Sequence, residues 1–203
     1  GTVSAACLAQ DGHEVIGVDP VASKVDLVNS GRSPIIEEHI EELIASSVQA
    51  KLLRATQDPA HAIEESDLSF VCVGTPSQKN GNLDLSYIRR VCEEIGAALG
   101  NKTTRHTVVI RSTVLPGTMR GVVIPVLEAR SGKRAGLEFG VCSNPEFLRE
   151  GSAVKDFNFP AKTIIGEIDE ASGATVASIY ERLDAPIFRV DLETAEMVKY
   201  IDN

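Results

Sequence analysis

Short apolar segments alternate along this chain with longer segments in which apolar residues recur at helical spacing. Segment 68–73 is almost continuously apolar and has the length of a strand, as expected for a parallel strand that is buried on both faces. Segment 85–99 instead places Ile88, Cys92 and Ile95 on one face of a helix. Repetition of these two patterns predicts an α/β fold with a doubly wound parallel sheet.

The same patterns assign the rest of the chain. Further strands are predicted at 13–19, 107–110, 139–143, 163–166 and 186–190, with a short edge strand at 51–56. Further helices are predicted at 1–10, 22–30, 36–47, 59–65, 118–130, 172–183 and 194–203. Gly12 and Gly31 are expected to end the first two helices, as glycine often does. A polar turn is predicted at 78–84, and a loop with two aromatic residues at 155–160.

The first strand begins after a helix and ends in an acid. A glycine that opens a helix and an acid that ends the next strand, about 20 residues on, form the second half of a dinucleotide-binding unit. Gly1 and Asp19 fit these two places, and Lys24 lies in the first turn of the following helix, beside the same expected ribose. Asp19 is equally a candidate helix cap or solvated acid, and Lys24 a solvated surface residue. The fold is therefore predicted to be Rossmann-like.

Both ends of the chain suggest a fragment. No Met and no strand precede Gly1, so we expect the first strand of the sheet to be missing, and the last helical pattern runs into Asn203. We expect residues 1–190 to form a Rossmann-like domain truncated at its amino end. Residues 191–203 would begin a helix that leads to absent domains.

Polar residues follow the strands at their carboxyl ends, where ligands bind in open α/β sheets. Gly74 and Thr75 follow one strand, with Gly74 allowing close approach of a ligand or backbone. Thr113 follows the next strand, although a plain capping role is open to it. The Pro116-Gly117-Thr118 junction then opens a helix whose N–H groups suit anions.

Segment 144–151, Asn-Pro-Glu-Phe-Leu-Arg-Glu-Gly, is the densest group of chemically able side chains. It follows strand 139–143 and holds Glu146, Arg149 and Glu150 close together in sequence. Clustered ionisable groups are typical of functional sites. The alternative interpretation is an ordinary strand-to-helix loop with solvated charges. We predict that Asp19, Thr75, Thr113 and Glu150 lie along one rim of the sheet.

Composition, net charge and cysteine spacing limit the kinds of partner and cellular compartment that we expect for the chain. The apolar content of 43% fits a globular core, no apolar run approaches the ~18–20 residues of a membrane span, and no secretion leader is visible. A net charge of −9 argues against nucleic-acid or anionic-membrane surfaces. The four cysteines are far apart and form no CxxC pair or metal-like cluster, which favours reduced thiols in a cytoplasmic protein.

Several motifs occur together in a characteristic order. They are Val18-Asp19 with Lys24, Val73-Gly74-Thr75-Pro76, Arg111-Ser112-Thr113-Val114 with Pro116-Gly117-Thr118, and segment 144–151. In this order they resemble the amino-terminal NAD-binding domain of the UDP-glucose/GDP-mannose dehydrogenase family, over residues 1–203. Segments 78–85, 105–109, 155–160 and 195–200 are most similar to members that act on GDP-mannose.

The resemblance implies an NAD-dependent, four-electron oxidation of the C6 alcohol of a nucleotide sugar, most simply GDP-mannose to GDP-mannuronate, an alginate precursor. A cysteine would hold the aldehyde-level intermediate and then a thioester, which water hydrolyses. By motif, the cofactor-binding residues would be Gly1, Asp19, Lys24, Thr75 and Thr113. The substrate-binding residues would be Glu146, Phe147, Leu148, Arg149 and Glu150. Glu150 would also polarise the hydrolytic water, held by Thr113.

The family's Gly-Gly-x-Cys-x-x-Lys-Asp segment is absent from the chain, and its oxyanion-stabilising Lys is expected just beyond Asn203. The fragment alone is therefore predicted to be inactive. The resemblance also implies that the full-length enzyme is a homo-oligomer. UDP-glucose 6-dehydrogenase is the alternative within the family. Another Rossmann-type NAD dehydrogenase and a non-catalytic NAD-binding module are alternatives outside it.

Overall fold

The computed structural model describes residues 1–79 and 81–202. Its helices are α1 Thr2–Gln10, α2 Ala22–Asn29, α3 Ile40–Gln49, α4 Pro59–Glu64, α5 Ser86–Asn101, α6 Ile124–Ser131, α7 Ala153–Asn158, α8 Glu170–Ile179 and α9 Leu192–Asp202. Its strands are β1 Val15–Val18, β2 Leu53–Thr56, β3 Leu68–Val71, β4 Thr107–Ile110, β5 Gly140–Ser143, β6 Thr163–Glu167 and β7 Ile187–Val190. Asn80, within the predicted polar turn, and Asn203 lie outside the described residues.

One compact unit comprises residues 1–62, 147–161 and 182–185. Its sheet has two parallel strands, β1 and β2, with Val15 opposite Leu53 and Val18 opposite Thr56. Helix α1 packs against β1, α3 and α7, because small side chains at Ala6 and Ala9 are fully buried and permit close approach. Gly12 ends α1 with a φ of 96°, which confirms its predicted role.

The second unit comprises residues 63–146, 162–181 and 186–203. Its five strands lie in the order β3-β4-β5-β6-β7. The hydrophobic core lies around β4 and β5, because both strands are buried throughout and pack with apolar residues of α5 and α6. This buried, β-branched pattern is the reason that continuous apolar runs predicted the strands correctly.

The α/β class with parallel sheets is confirmed, and one pairing departs from it. β6 runs antiparallel to β5, with Cys142 opposite Glu167 and Ser143 opposite Gly166. The connection between these strands contributes α7 to the first unit, so it provides no crossover helix for the second sheet. A parallel pair requires such a crossover, whereas an antiparallel pair does not.

Two local predictions are wrong. The helix predicted at 36–47 begins only at Ile40, because His39 before it adopts a left-handed φ of 62°. The loop predicted at 155–160 is mostly helix α7, which buries Phe157 and ends at Asn158. Phe159, by contrast, is 80% exposed. The Phe159-Pro160 pair therefore marks the end of a helix rather than a loop, as expected for a residue before proline.

His106 is buried beside strands β3 and β4 of the second unit and is 1% exposed. Its Nδ1 lies 2.8 Å from the carbonyl oxygen of Ser66, so this nitrogen carries the proton and donates it. Nε2 accepts from Ser69 Oγ at 3.1 Å. Burial lowers the pKa of His106 to about 4, against the opposing effect of the Ser66 bond.

We expect this histidine to make the chain acid-labile. The unfolded chain binds the proton near its ordinary pKa of ~6.5, while the folded chain resists it, so stability is lost as pH falls from about 6.5 to 4. The loss attributable to His106 is about 3 kcal/mol at ~1.4 kcal/mol per pKa unit. Urea unfolding at several pH values measures it, with His106→Asn as the comparison. Equal pH slopes for the two proteins would contradict the assignment.

Candidate functional site

Asp19 lies at the carboxyl end of β1, in the first unit. Its Oδ1 accepts from the backbone N–H of Val21 at 2.9 Å, and its Oδ2 lies 3.4 Å from Lys24 Nζ. The Asp19 side chain is 37% exposed and that of Lys24 51% exposed. The carboxylate thus partly fills the turn-capping role that was its alternative interpretation. It also keeps an oxygen next to a cation, in an orientation open to hydroxyl donors.

Gly1 directly precedes α1 and its carbonyl accepts from Ala5 N at 2.9 Å. It therefore occupies the helix-opening position that was predicted for it. All three residues belong to the first unit, with Gly1 at the start of α1, Asp19 directly after β1 and Lys24 in α2.

Thr75 and Thr113 are brought together in the second unit. Thr75 Oγ1 donates to the Thr113 carbonyl oxygen at 2.7 Å, and Ser112 Oγ donates to the Val73 carbonyl at 2.6 Å. These bonds join the segments that follow β3 and β4 at the carboxyl edge of the sheet. A Cβ added to Gly74 would meet no heavy atom of the described chain within 4 Å. This edge therefore has space beside a backbone that presents hydroxyl and peptide groups.

The Pro116-Gly117-Thr118 junction is not an open anion site. Glu196 of α9 accepts from Gly117 N at 2.7 Å and from Met119 N at 2.8 Å. Glu196 is 1% exposed, and burial raises the pKa of its carboxyl group against the lowering effect of these backbone bonds. The negative group that suits this junction is therefore supplied by the chain itself. The junction continues into a π-helical turn, Met119–Val123, before α6.

Glu146 faces a buried cation that the sequence reasoning missed. Lys199 of α9 lies with Nζ 3.9 Å from Glu146 Oε1, and its side chain is 8% exposed. Glu196 and Lys199 are both charged residues on the buried face of an otherwise amphipathic helix. That pattern was visible in the sequence and is the signal that would have identified them, because buried charges are kept only with partners or function.

Segment 144–151 divides between the two units after Glu146. Asn144 is structural: its Oδ1 accepts from Arg111 at 2.7 Å and from Tyr180 Oη at 2.6 Å. Its amide donates to the Ile164 carbonyl at 2.8 Å. Arg111 lies over the Phe70 ring, 5.6 Å from its centroid. This buried network of hydrogen bonds links the ends of β4, β5 and α8. It holds the backbone at Asn144, two residues before Glu146, in place.

Arg149 and Glu150 lie in the first unit with Phe147 and Leu148, which are half-buried. The Arg149 guanidinium donates to Asp156 at 3.1 and 2.7 Å, and its backbone N–H donates to the same carboxylate at 3.0 Å. These bonds hold the pKa of Asp156 well below its usual range. Arg149 thus braces its own loop, whereas Glu150 is exposed.

These features define a class. Alternating strands and helices, an acid at the end of β1 and open space beside Gly74 are those of a Rossmann-like nucleotide-binding domain of the dehydrogenase type. The model of the UDP-glucose/GDP-mannose dehydrogenase family, NAD binding domain, matches residues 1–184. The chain belongs to this family.

The chain is 57% identical to the GDP-mannose 6-dehydrogenase of Pseudomonas syringae pv. syringae over 203 residues, 100% of this chain and 46% of that protein. It is 38% identical to the UDP-glucose 6-dehydrogenase AglM of Haloferax volcanii, across 100% of this chain and 48% of that protein. A crystal structure of GDP-mannose dehydrogenase from Pseudomonas aeruginosa superposes with a TM-score of 0.99 at 56% identity, covering 100% of this chain and 47% of that one. The chain spans about half the length of the curated relatives it matches.

Two other properties concern the described residues. No helix in this part of the chain has the length and apolar character needed to cross a bilayer. None of the four cysteines, Cys7, Cys72, Cys92 and Cys142, forms a disulfide. Burial raises the pKa of Cys92 and of Cys142 to about 12. These two thiols therefore stay protonated at neutral pH and are inert as nucleophiles.

Proposed function

We propose that this chain is the NAD-binding part of a nucleotide-sugar 6-dehydrogenase that converts GDP-mannose to GDP-mannuronate, a precursor for polysaccharides such as alginate. The observation that carries this proposal is the difference in identity: 57% to a GDP-mannose 6-dehydrogenase against 38% to a UDP-glucose 6-dehydrogenase, each over the whole chain. A cytoplasmic location and a homo-oligomeric full-length enzyme are part of the proposal, and the cysteines, none of which is in a disulfide, support the former.

The donor set fits NAD. We assign Asp19 and Lys24 to the adenosine ribose, because the Asp19 carboxylate is partly exposed and can accept from ribose hydroxyls. We assign Gly1, which opens α1, to the cofactor-binding fingerprint. Thr75 and Thr113 are assigned to NAD contacts, supported by the bond that joins them and by the space beside Gly74. When bound, NAD accepts a hydride from the sugar carbon.

Asp19 should also select the cofactor. A carboxylate at this place repels the 2′-phosphate of NADP, so we expect clear preference for NAD. Asp19→Asn should weaken NAD binding about 10-fold and reduce discrimination against NADP, because a neutral amide accepts more weakly and repels less. Calorimetric titration of the complete gene product with each cofactor measures both effects. Asp26→Asn, at an exposed acid of the following helix α2, is the control. Unchanged discrimination between NAD and NADP in Asp19→Asn would overturn the assignment.

The overall reaction converts one primary alcohol, two NAD⁺ and one water to one carboxylate, two NADH and three protons. We assign the sugar-nucleotide contacts to Glu146, Phe147, Leu148, Arg149 and Glu150. Glu150 acts as the base that takes a proton from water as water attacks the thioester, and Thr113 orients that water. Lys199 joins this set, because it places a buried ammonium beside Glu146. There it can stabilise a developing oxyanion, the role that the sequence analysis gave to a lysine beyond Asn203.

The complete product of the gene tests this proposal, because the cysteine that the thioester requires is not among the cysteines of this chain in the family's sequence context. We expect NADH to form with GDP-mannose at a kcat/KM at least 100-fold above that with UDP-glucose. The reverse preference would establish the UDP-glucose reaction instead. NADH formation with neither sugar nucleotide, combined with tight NAD binding, would establish a non-catalytic module.

A further inference from the structure

Glu37 holds the backbone that carries Glu150. Its two carboxylate oxygens accept from Gly151 N at 3.0 Å and from Ala153 N at 3.1 Å, across more than a hundred residues of sequence. Both partners belong to the same compact unit as Glu37. One side chain thus fixes the residue after Glu150 and the first residue of α7, at a point where Gly151 has a φ of 82°.

A second carboxylate fixes the chain on the other side of Glu150. Asp156 accepts from the Arg149 backbone N–H at 3.0 Å and from Ser152 Oγ at 3.1 Å. The backbone N–H groups of the residues before and after Glu150 are therefore each hydrogen-bonded to an acid, while the Glu150 side chain itself is exposed. Such bracketing leaves the Glu150 backbone little freedom, and its side chain projects from a fixed point.

We propose that Glu37 is a positioning residue for Glu150, an inference that rests on the proposed role of Glu150 in thioester hydrolysis. In that step the water oxygen forms a bond to the thioester carbon, Glu150 takes the water proton, and the carbon–sulfur bond breaks with the sulfur leaving as thiolate. A base displaced by about 1 Å loses much of its effect, since rate depends steeply on alignment. Glu37 acts on the hydrolytic step through the backbone and contacts no reacting atom.

The test compares four variants of the complete gene product with the unmodified protein. They are Glu37→Ala, Glu37→Gln, Glu150→Gln and the double variant Glu37→Ala/Glu150→Gln. Glu38→Ala is the matched control, because Glu38 is the adjacent exposed acid and pairs only locally with His39 in the described residues. The readouts are kcat, KM, the amount of acyl-enzyme by rapid-quench intact mass, and amide exchange of the peptide 147–158.

We expect Glu37→Ala to lower kcat about 10-fold with KM values changed less than twofold. Acyl-enzyme accumulates, and amide exchange at Gly151 and Ala153 accelerates. Glu37→Gln retains one acceptor oxygen and recovers part of the rate even if Glu37→Ala folds poorly. The double variant is no slower than Glu150→Gln, because Glu37 has no other route to the reaction.

Two results would overturn the inference and can be told apart. If Glu150→Gln accumulates acyl-enzyme while Glu37→Ala behaves like Glu38→Ala, Glu37 does not position the base and the proposed function stands. If Glu150→Gln turns over like the unmodified protein, the role of Glu150 is wrong and the inference about Glu37 falls with it.

Discussion

We expect replacement of Glu150 with Gln to lower kcat of the complete gene product by about 100- to 10,000-fold, the usual range for removal of a general base. Gln has the same length but cannot take a proton from water, so hydrolysis of the thioester becomes the slow step. Both hydride transfers precede hydrolysis, so their rates are preserved. Rapid-quench experiments should therefore show a burst of NADH followed by slow turnover, with the acyl-enzyme as the dominant species by mass.

Glu150 is exposed, so this substitution should leave stability and NAD affinity nearly unchanged. Glu14→Gln, at another exposed acid of the same unit, is the control for the loss of one negative charge. A drop in unfolding free energy of more than about 1 kcal/mol without acyl-enzyme accumulation would identify Glu150 as structural.

Replacing Glu196 with Ala destabilises the chain by about 2–5 kcal/mol. The carboxylate is buried and satisfies two backbone N–H groups, those of Gly117 and Met119. Each N–H left without a partner in the interior costs about 1–3 kcal/mol, and the cavity adds to this. Urea unfolding at neutral pH measures the change.

Glu193→Ala is the matched control on the same helix. Glu193 is partly exposed and pairs with Arg120 at the surface, so its loss should cost less than about 1 kcal/mol. Glu196→Gln should fall between the two, because its amide oxygen can still accept one bond. Equal effects of Glu196→Ala and Glu193→Ala would show that the Gly117–Met119 junction does not depend on a buried carboxylate.

Local patterns predicted the elements well where burial is uniform. Strand Thr107–Ile110 has the bounds that its β-branched run indicated, and Gly31 has a φ of 75° after α2 as expected of a helix-ending glycine. Helix α7 was missed because a short helix with two aromatic residues and a following proline resembles a loop. The antiparallel β6 was missed because strand direction depends on the route of the connection, which apolar spacing does not encode.

Long-range contacts explain what was missed at the site. The N–H groups at Gly117 bind an anionic group as predicted, but local patterns could not identify it as the Glu196 carboxylate, 79 residues away in sequence. Lys199 was not predicted because its partner, Glu146, lies on a different element, so helical spacing alone does not reveal the pair. Glu37 gave no local signal at all, since its role appears only when Gly151 is folded against it. Individual motifs identified candidate residues, while the contacts that orient them came from the fold.

The assignment of Asp19, Thr75, Thr113 and Glu150 to one reaction rests on sequence order and on the family to which the chain belongs. The most direct measurement is the stoichiometry of the complete gene product with limiting GDP-mannose and excess NAD, with NADH followed by absorbance and sugar carboxylate by mass spectrometry. We expect two NADH for each carboxylate formed and no released aldehyde. One NADH per sugar, with an aldehyde as the final product, would contradict a four-electron oxidation and remove the hydrolytic role given to Glu150.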